Sequence, residues 1–363
     1  MDASCRWSLH CWSIYLTQSS EPNENACYDG AKNNYRIVGC IFKFYRCLSI
    51  WNFRCSYGRG LIFRLVFSLD GSAFKTQMNG ISLKNNSISF VRPLIERVPL
   101  IAAMYRSMRD QYEYFTDKPI ATPWGFKLAG NKIMAQGSFE INETKIVRDL
   151  LKNVDILVNV GANVGYYCCH ALSMGKPVIA FEPIERNLHY LCKNIKANGW
   201  SGAEIYPVAL SNSVGVLEIY GGNTGASVVK GWAGIPESYV TLVPSSTMDV
   251  VLGTRLRGKN VLILVDVEGA EQQMLEGATK MLVNDPKPIW LVEITTKDHQ
   301  PHGVEINPNF KSTFQLFFQN GYQALNADQD MSQVVMEHVD LASSGSLRFT
   351  THNFLFCDSK RAL

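Results

Sequence analysis

A chain of 363 residues has room for about two domains of ordinary size. Its 35 Lys and Arg nearly balance 32 Asp and Glu, for a formal charge of +3, and 46% of its residues are hydrophobic against 18% charged. That balance excludes a largely disordered chain and a broad nucleic-acid-coating surface, so no nucleic acid is expected as a partner.

The first 20 residues interleave Asp2, Arg6 and His10 with scattered apolar positions and carry no recognisable secretion signal, which sets a cytoplasmic location as the expectation. The apolar patches at 37–42 and 61–69 are short or broken by Lys43, Arg46, Arg54 and Arg64, well below the roughly 18–20 apolar residues of a membrane-spanning helix. Six of the ten cysteines, Cys5, Cys11, Cys27, Cys40, Cys47 and Cys55, crowd the first 55 residues, but no CxxC pair or finger-like histidine spacing accompanies them. Between Asp29 and Asp70 lie seven basic residues with no acid, interleaved with Tyr35, Phe42, Trp51 and other aromatics. Such a stretch suits an anionic lipid surface or a negatively charged partner, and residues 1–70 read as a basic, Cys-rich extension. Peripheral membrane contact through 30–69 is compatible with it. Residues 71–135 mix short strand-like pieces with polar turns, one of them over 122–125 around Pro123, and read as an adaptor.

The pattern becomes regular from Glu140 onward, and the core domain starts near residue 125–140. A helix is predicted over 143–151, a strand over 156–160, the glycine turn GANVG over 161–165, a helix from Tyr166 and a strand over 177–181 that ends in Glu182. Strand, glycine turn and helix are the order of a nucleotide-binding βαβ unit, and a carboxylate 21 positions after Gly161 can accept hydrogen bonds from ribose hydroxyls. The middle glycine of GxGxxG is missing, so a turn around a nucleoside fits better than one cradling a pyrophosphate. A helix over 185–198 follows, with Leu188, Leu191, Cys192 and Ile195 as its apolar stripe and Gly199 as its stop. Cys168, Cys169 and Cys192 fall on predicted helices and read as small core residues.

Strands are predicted next over 205–210 and 214–220, then a Gly-rich ligand-facing loop over 221–225, a strand over 262–265 ending at Asp266, a helix over 270–282, and a strand over 288–292 ending at Glu293. In a parallel sheet Glu182, Asp266 and Glu293 share the rim where strand ends, loops and helix N-termini meet. Glu268 and Glu271 border that rim or cap the next helix. His170 and His189 lie inside predicted helices, whereas His299 and His302 follow the Glu293 strand in a loop. Asp266, Glu268, Glu271 and Glu293 offer oxygen ligands, but nothing in their spacing fixes a cage, and no metal is expected.

The segments VNVGANVG (158–165), AFEP (180–183), TMDVVL (247–252), DVEGAE (266–271) and LVEI (291–294), in this order, resemble FkbM-type methyltransferases, as do Gly321, Tyr322 and the NFLF at 353–356. The resemblance spans about 122–357. It implies a class I, Rossmann-like fold, a mostly parallel sheet with helices on both faces, over a methyltransferase domain at 136–357 with a tail at 358–363. It also implies S-adenosylmethionine as cofactor and methylation of a hydroxyl on a sugar, glycan or small metabolite. By that resemblance Asn159, Gly161, Ala162, Asn163, Gly165 and Glu182 would bind the cofactor, and Asp266 and Glu268 would border donor and acceptor. Asp266 is the candidate base, with His299 the histidine nearest to that role. Two positions depart from the family: Asn159 stands where an acid is usual, and Leu264 where a lysine is usual. A noncatalytic binding protein retaining the fold is the alternative reading.

Overall fold

The computed structural model describes residues 49–51, 65–67 and 99–360, apart from 223 and 329. The chain divides into two compact units, Met1–Lys84 and Asn85–Leu363. In the first, β1 (Ser49–Trp51) pairs antiparallel with β2 (Leu65–Phe67). The six N-terminal cysteines, the rest of the basic stretch and residues 71–98 lie outside the described residues. Among the described residues no helix is long and apolar enough to cross a membrane.

The second unit opens with α1 (Pro99–Thr116), the hairpin β3 (Ile120–Ala121) and β4 (Lys127–Leu128), and α2 (Lys132–Ala135). The hairpin turn falls at the expected 122–125, where Gly125 takes φ 86°. The helix α1 replaces expected strand-like pieces, and the reason is tertiary. Arg186 bridges Glu113 at 2.9 Å and Asp110 at 3.7 Å, and the Lys193 ammonium donates to the carbonyls of Tyr114 and Asp117 at the end of α1. Cations at those C-terminal carbonyls oppose the negative end of the helix dipole. Both come from a helix some 70 residues later, so local sequence does not announce them.

Next come α3 (Ile141–Leu151), β5 (Ile156–Val160), α4 (Tyr166–Ser173), β6 (Val178–Phe181), α5 (Glu185–Ala197) and β7 (Ala203–Tyr206). These match the predicted elements to within two residues up to α5. The strand expected over 205–210 is broken at Pro207, which has no N–H for a ladder. Its second half, β8 (Ala209–Leu210), joins a separate three-stranded sheet with β9 (Gly215–Tyr220) and β10 (Val240–Ser246). Thr247 caps α6 (Met248–Leu252), accepting a hydrogen bond from the Val250 N–H at 3.1 Å.

Then follow β11 (Val261–Val265), α7 (Glu271–Glu276), α8 (Thr279–Leu282) and β12 (Ile289–Glu293). The single helix expected over 270–282 is two, because the Gly277 carbonyl turns out to accept the Asp249 N–H at 3.0 Å. A β-carbon on Gly277 would sit 2.0 Å from the Ser211 carbonyl oxygen, so only glycine allows that approach. The chain finishes with α9 (Phe310–Gln319), β13 (Tyr322–Asn326), β14 (Gln333–Val334), α10 (Met336–Ser343) and β15 (Asn353–Asp358).

The main sheet runs β14-β13-β15-β12-β11-β5-β6-β7. The five strands from β12 to β7 are parallel, whereas β15, β13 and β14 pair antiparallel, so the sheet is mixed, with four of its seven pairings parallel. Alternate residues feed opposite cores, as the strand period of two requires. Val158, Val160, Ile263 and Val265 meet Phe310, Phe314 and Phe317, while Leu157, Leu262 and Leu264 meet Val147, Leu151, Cys168 and Leu191. Cys168 and Cys169 are buried as expected, but Cys192 is exposed, on the outer side of its helix. From β5 the chain moves to β6 and β7, then returns to β11 on the other side of β5. The strand order reverses there, and a crevice opens beyond the carboxyl ends of β5 and β11.

Candidate functional site

The crevice floor is main chain. The N–H groups of Gly161 and Ala162 both donate to the Phe181 carbonyl, at 3.0 and 2.9 Å, and the Asp266 N–H donates to Val160 O at 3.0 Å. Gly161 takes φ 80°, and a β-carbon there would lie 1.8 Å from the Asp266 carbonyl oxygen. Asn163 takes φ 52°, a left-handed conformation that asparagine tolerates better than most side chains, and its Oδ1 accepts the Val164 N–H at 2.8 Å. Gly165, also left-handed, lies outside the crevice lining. A β-carbon there would meet Leu191 Cδ1 at 2.4 Å, so this glycine lets α4 start close against α5.

Glu182 is 3% exposed. Its Oε2 accepts the Asn163 N–H at 2.7 Å, while Oε1 accepts the Ile184 N–H at 2.9 Å and the Asn187 amide at 3.4 Å. Burial pushes its pKa up to about 7 against the lowering effect of those three bonds. A carboxylate has about four acceptor positions, and three are used. The one that remains is on Oε2.

The crevice has two lobes. The first, about 620 Å³ including its open mouth, runs from Glu182, Pro183 and Ile184 across to Ala209 and Val228. The second, about 570 Å³, is walled by Glu140, Asn159, Tyr166, Tyr167 and Glu293. Gly161, Asn163, Thr224 and Asp266 line both, so the glycine turn and the end of β11 stand where the lobes join. Ala162 lines the second lobe, as does Asn159, whose amide is 4% exposed and donates to Cys168 Sγ at 3.4 Å.

Carboxylates ring that junction. Asp266 is open to solvent through the mouth, yet protein surrounds it on its other sides. That burial, then the charges of Glu293, Glu268, Glu140 and Glu271, raise its pKa well above the usual aspartate value. Glu293 is pushed up to about 8 by burial and then by the Glu268 and Glu140 charges. Glu268, at φ 53°, accepts the Trp232 indole N–H at 2.7 Å and faces His299 Nδ1 at 3.8 Å. Burial raises its pKa, while the indole bond and His299 oppose the rise. Glu271 turns away from the crevice to accept the Gly269 N–H at 2.8 Å, and burial raises it to about 7.

The structure therefore gathers Asn159, Gly161, Ala162, Asn163, Glu182, Asp266 and Glu268 around one crevice. His299 reaches its edge through Glu268, with its ring half exposed and edge-on to Trp232 at 5.9 Å. His302 is exposed in the following loop. His170 is buried beneath the second lobe against Arg148 at 3.0 Å, and burial lowers its pKa to about 3. Three residues with no sequence signal join the site: Glu140, Tyr167 and Trp232. Among the described residues no group of three or more His, Cys, Asp or Glu is placed to hold a metal ion.

An acid-lined junction favours a ligand that carries positive charge where the lobes meet. The free acceptor on Glu182 fits such a ligand.

Comparison with known proteins agrees with this chemistry. Residues 159–324 match the methyltransferase FkbM domain, and the chain contains a domain of that family. The match describes a methyltransferase domain, which implies dependence on S-adenosylmethionine. The α/β fold, a mixed sheet flanked by helices, resembles the class I, Rossmann-like methyltransferase fold. No curated protein matches the chain. Among solved structures, it is similar to monomeric WbdD at 11% identity and TM-score 0.35, covering 63% of this chain but 43% of that one. It is also similar to a SAM-dependent methyltransferase from Agrobacterium tumefaciens, at 9% identity and TM-score 0.37, covering 67% and 70% of the two chains. A third is the tRNA (uracil-54, C5)-methyltransferase of Pyrococcus abyssi in complex with S-adenosyl-L-homocysteine, at 11% identity and TM-score 0.32, covering 64% and 42%.

Proposed function

We propose that this protein methylates a hydroxyl oxygen on a sugar, glycan or small metabolite, with S-adenosylmethionine as donor. The observation that carries the reading is the shared crevice, in which the Gly161–Asn163 turn and Glu182 form one wall and the unpaired Asp266 carboxylate stands at the junction of the lobes. In this reading Gly161, Ala162 and Asn163 border the donor with their main chain, and the free lone pair of Glu182 Oε2 accepts a ribose hydroxyl. Asn159 lines the lobe beyond. Gly165 acts through packing, by fixing where α4 begins.

The bound donor supplies an electrophilic methyl on a sulfonium. Asp266 has no hydrogen-bond or ion-pair partner among the described residues, so its carboxylate is available both to favour a neighbouring cation and to take the acceptor's hydroxyl proton. Glu268, anchored by the Trp232 indole and facing His299, borders the acceptor side, and His299 carries a titratable ring from there to solvent.

Calorimetry with S-adenosylmethionine and S-adenosylhomocysteine tests the donor half. Glu182→Ala should weaken both by tenfold or more while the protein stays folded. Retained affinity in that variant would remove the ribose assignment, and folded wild-type protein that binds neither compound would remove the function. A labelled-methyl transfer screen over hydroxyl-bearing sugars and metabolites tests the acceptor half.

A further inference from the structure

We propose that Glu140, positioned by Tyr167, holds the α-ammonium group at the amino-acid end of the donor. This inference rests on the donor reading above and concerns the lobe that the nucleoside does not fill.

Glu140 is the residue before α3, the place where a carboxylate normally bonds the exposed N–H groups of the first helical turn. Its side chain makes no such bond. The backbone instead takes a left-handed conformation, φ 41° and ψ 58°, and the side chain turns to Tyr167, whose hydroxyl donates to Oε2 at 2.7 Å. Oε1 has no partner among the described residues. The residue is half-buried and lines the second lobe with Asn159, Gly161 and Asp266.

Charge in that lobe is one-sided. Among the described residues, Glu140, Asp266 and Glu293 form no ion pair with any Lys, Arg or His. Asn159 cannot supply a carboxylate, and its amide is already bonded to Cys168 Sγ. The donor carries two positive centres, the sulfonium and the ammonium, separated by a short alkyl arm. Asp266 stands at the lobe junction and Glu140 lines only the second lobe, so the two acids suit the two centres in order along that arm. A phenol–carboxylate bond leaves one oxygen aimed and available, which is the arrangement that pre-orients a charge-assisted hydrogen bond to an ammonium.

Binding of three compounds to wild type and two variants decides the matter. S-adenosylmethionine and S-adenosylhomocysteine carry the ammonium, whereas 5′-methylthioadenosine has the same nucleoside and lacks the amino-acid arm. Glu140→Gln should lower affinity for the first two about tenfold or more and leave methylthioadenosine within about twofold. Tyr167→Phe should show the same pattern with a smaller loss. Retained methylthioadenosine binding also reports an intact crevice. Unchanged S-adenosylhomocysteine affinity in Glu140→Gln, or an equal loss for all three compounds, would overturn the assignment. Wild-type protein that binds none of the three would overturn the donor reading itself, and this inference with it.

Discussion

Gly161 and Asp266 meet through their main chains: a β-carbon on the glycine would stand 1.8 Å from the aspartate's carbonyl oxygen. The carboxyl ends of the two neighbouring strands are thereby pressed together, and the acid that follows β11 is delivered to the turn that follows β5.

Gly161→Ala should consequently damage both fold and site. The alanine would have to adopt φ 80° and displace backbone, a combination that costs about 2–4 kcal/mol. Gly175→Ala is the control, because that glycine takes φ 74° with nothing within 4 Å and should cost about 1 kcal/mol. Denaturant titration measures both, and equal costs would refute the close contact.

Asp266→Asn keeps the size of the side chain and removes its charge. Turnover at saturating donor and acceptor should fall by roughly 10²–10⁴ if the carboxylate takes the hydroxyl proton. Donor affinity should change less. Steady-state rates beside calorimetric affinities separate these effects, and unchanged turnover would remove Asp266 as the base.

Glu271 gives a pH prediction with a definite sign. Its folded pKa of about 7 lies above the ordinary 4.5, so the folded protein holds a proton that the unfolded chain has already lost in between. The stabilising contribution is complete below about pH 4.5 and disappears as pH rises through 7. Glu271→Gln keeps an acceptor for the Gly269 N–H and abolishes the titration. The variant should lose less stability than wild type between those pH values, by on the order of 2 kcal/mol. Urea titrations at pH 5 and pH 8 would show it.

Binding of the cationic donor should release protons near pH 7. Glu293, at about 8, is largely protonated there, and a nearby cation favours its ionised form. Binding enthalpies in phosphate and in Tris should differ by the ionisation heat of the released protons. Affinity should increase with pH between 6 and 8. Glu293→Gln should reduce both effects, and an identical proton count in that variant would point to another group.

Much of this site is legible in the linear chain because its residues follow strands whose apolar runs stand out. Val158, Val160, Ile179, Phe181, Ile263 and Val265 mark where β5, β6 and β11 end, and Gly161, Glu182 and Asp266 follow directly. Glu140, Tyr167 and Trp232 carry no comparable mark. Glu140 precedes a helix and resembles an ordinary solvent-facing or capping acid until Tyr167 is seen to hold it. Trp232 opens a short, distorted 3-10 turn (Trp232–Gly234), and its contact with Glu268 joins residues 36 positions apart. Gly165 misleads in the opposite direction: its place in the glycine turn suggests ligand contact, but the space it leaves is taken by Leu191.

Periodicity and glycine placement are properties of short windows, so the sequence by itself determined the order of core strands, the nucleoside-type turn and the family resemblance. Long-range packing decided the rest. It broke the predicted helix at Gly277 against Ser211, stabilised α1 with cations from α5, and brought Glu140 and Glu268 close enough for their charges to help raise the pKa values of Asp266 and Glu293. Coulomb interaction and burial depend on distance through space, and the distances were set only when β11 came back to lie beside β5.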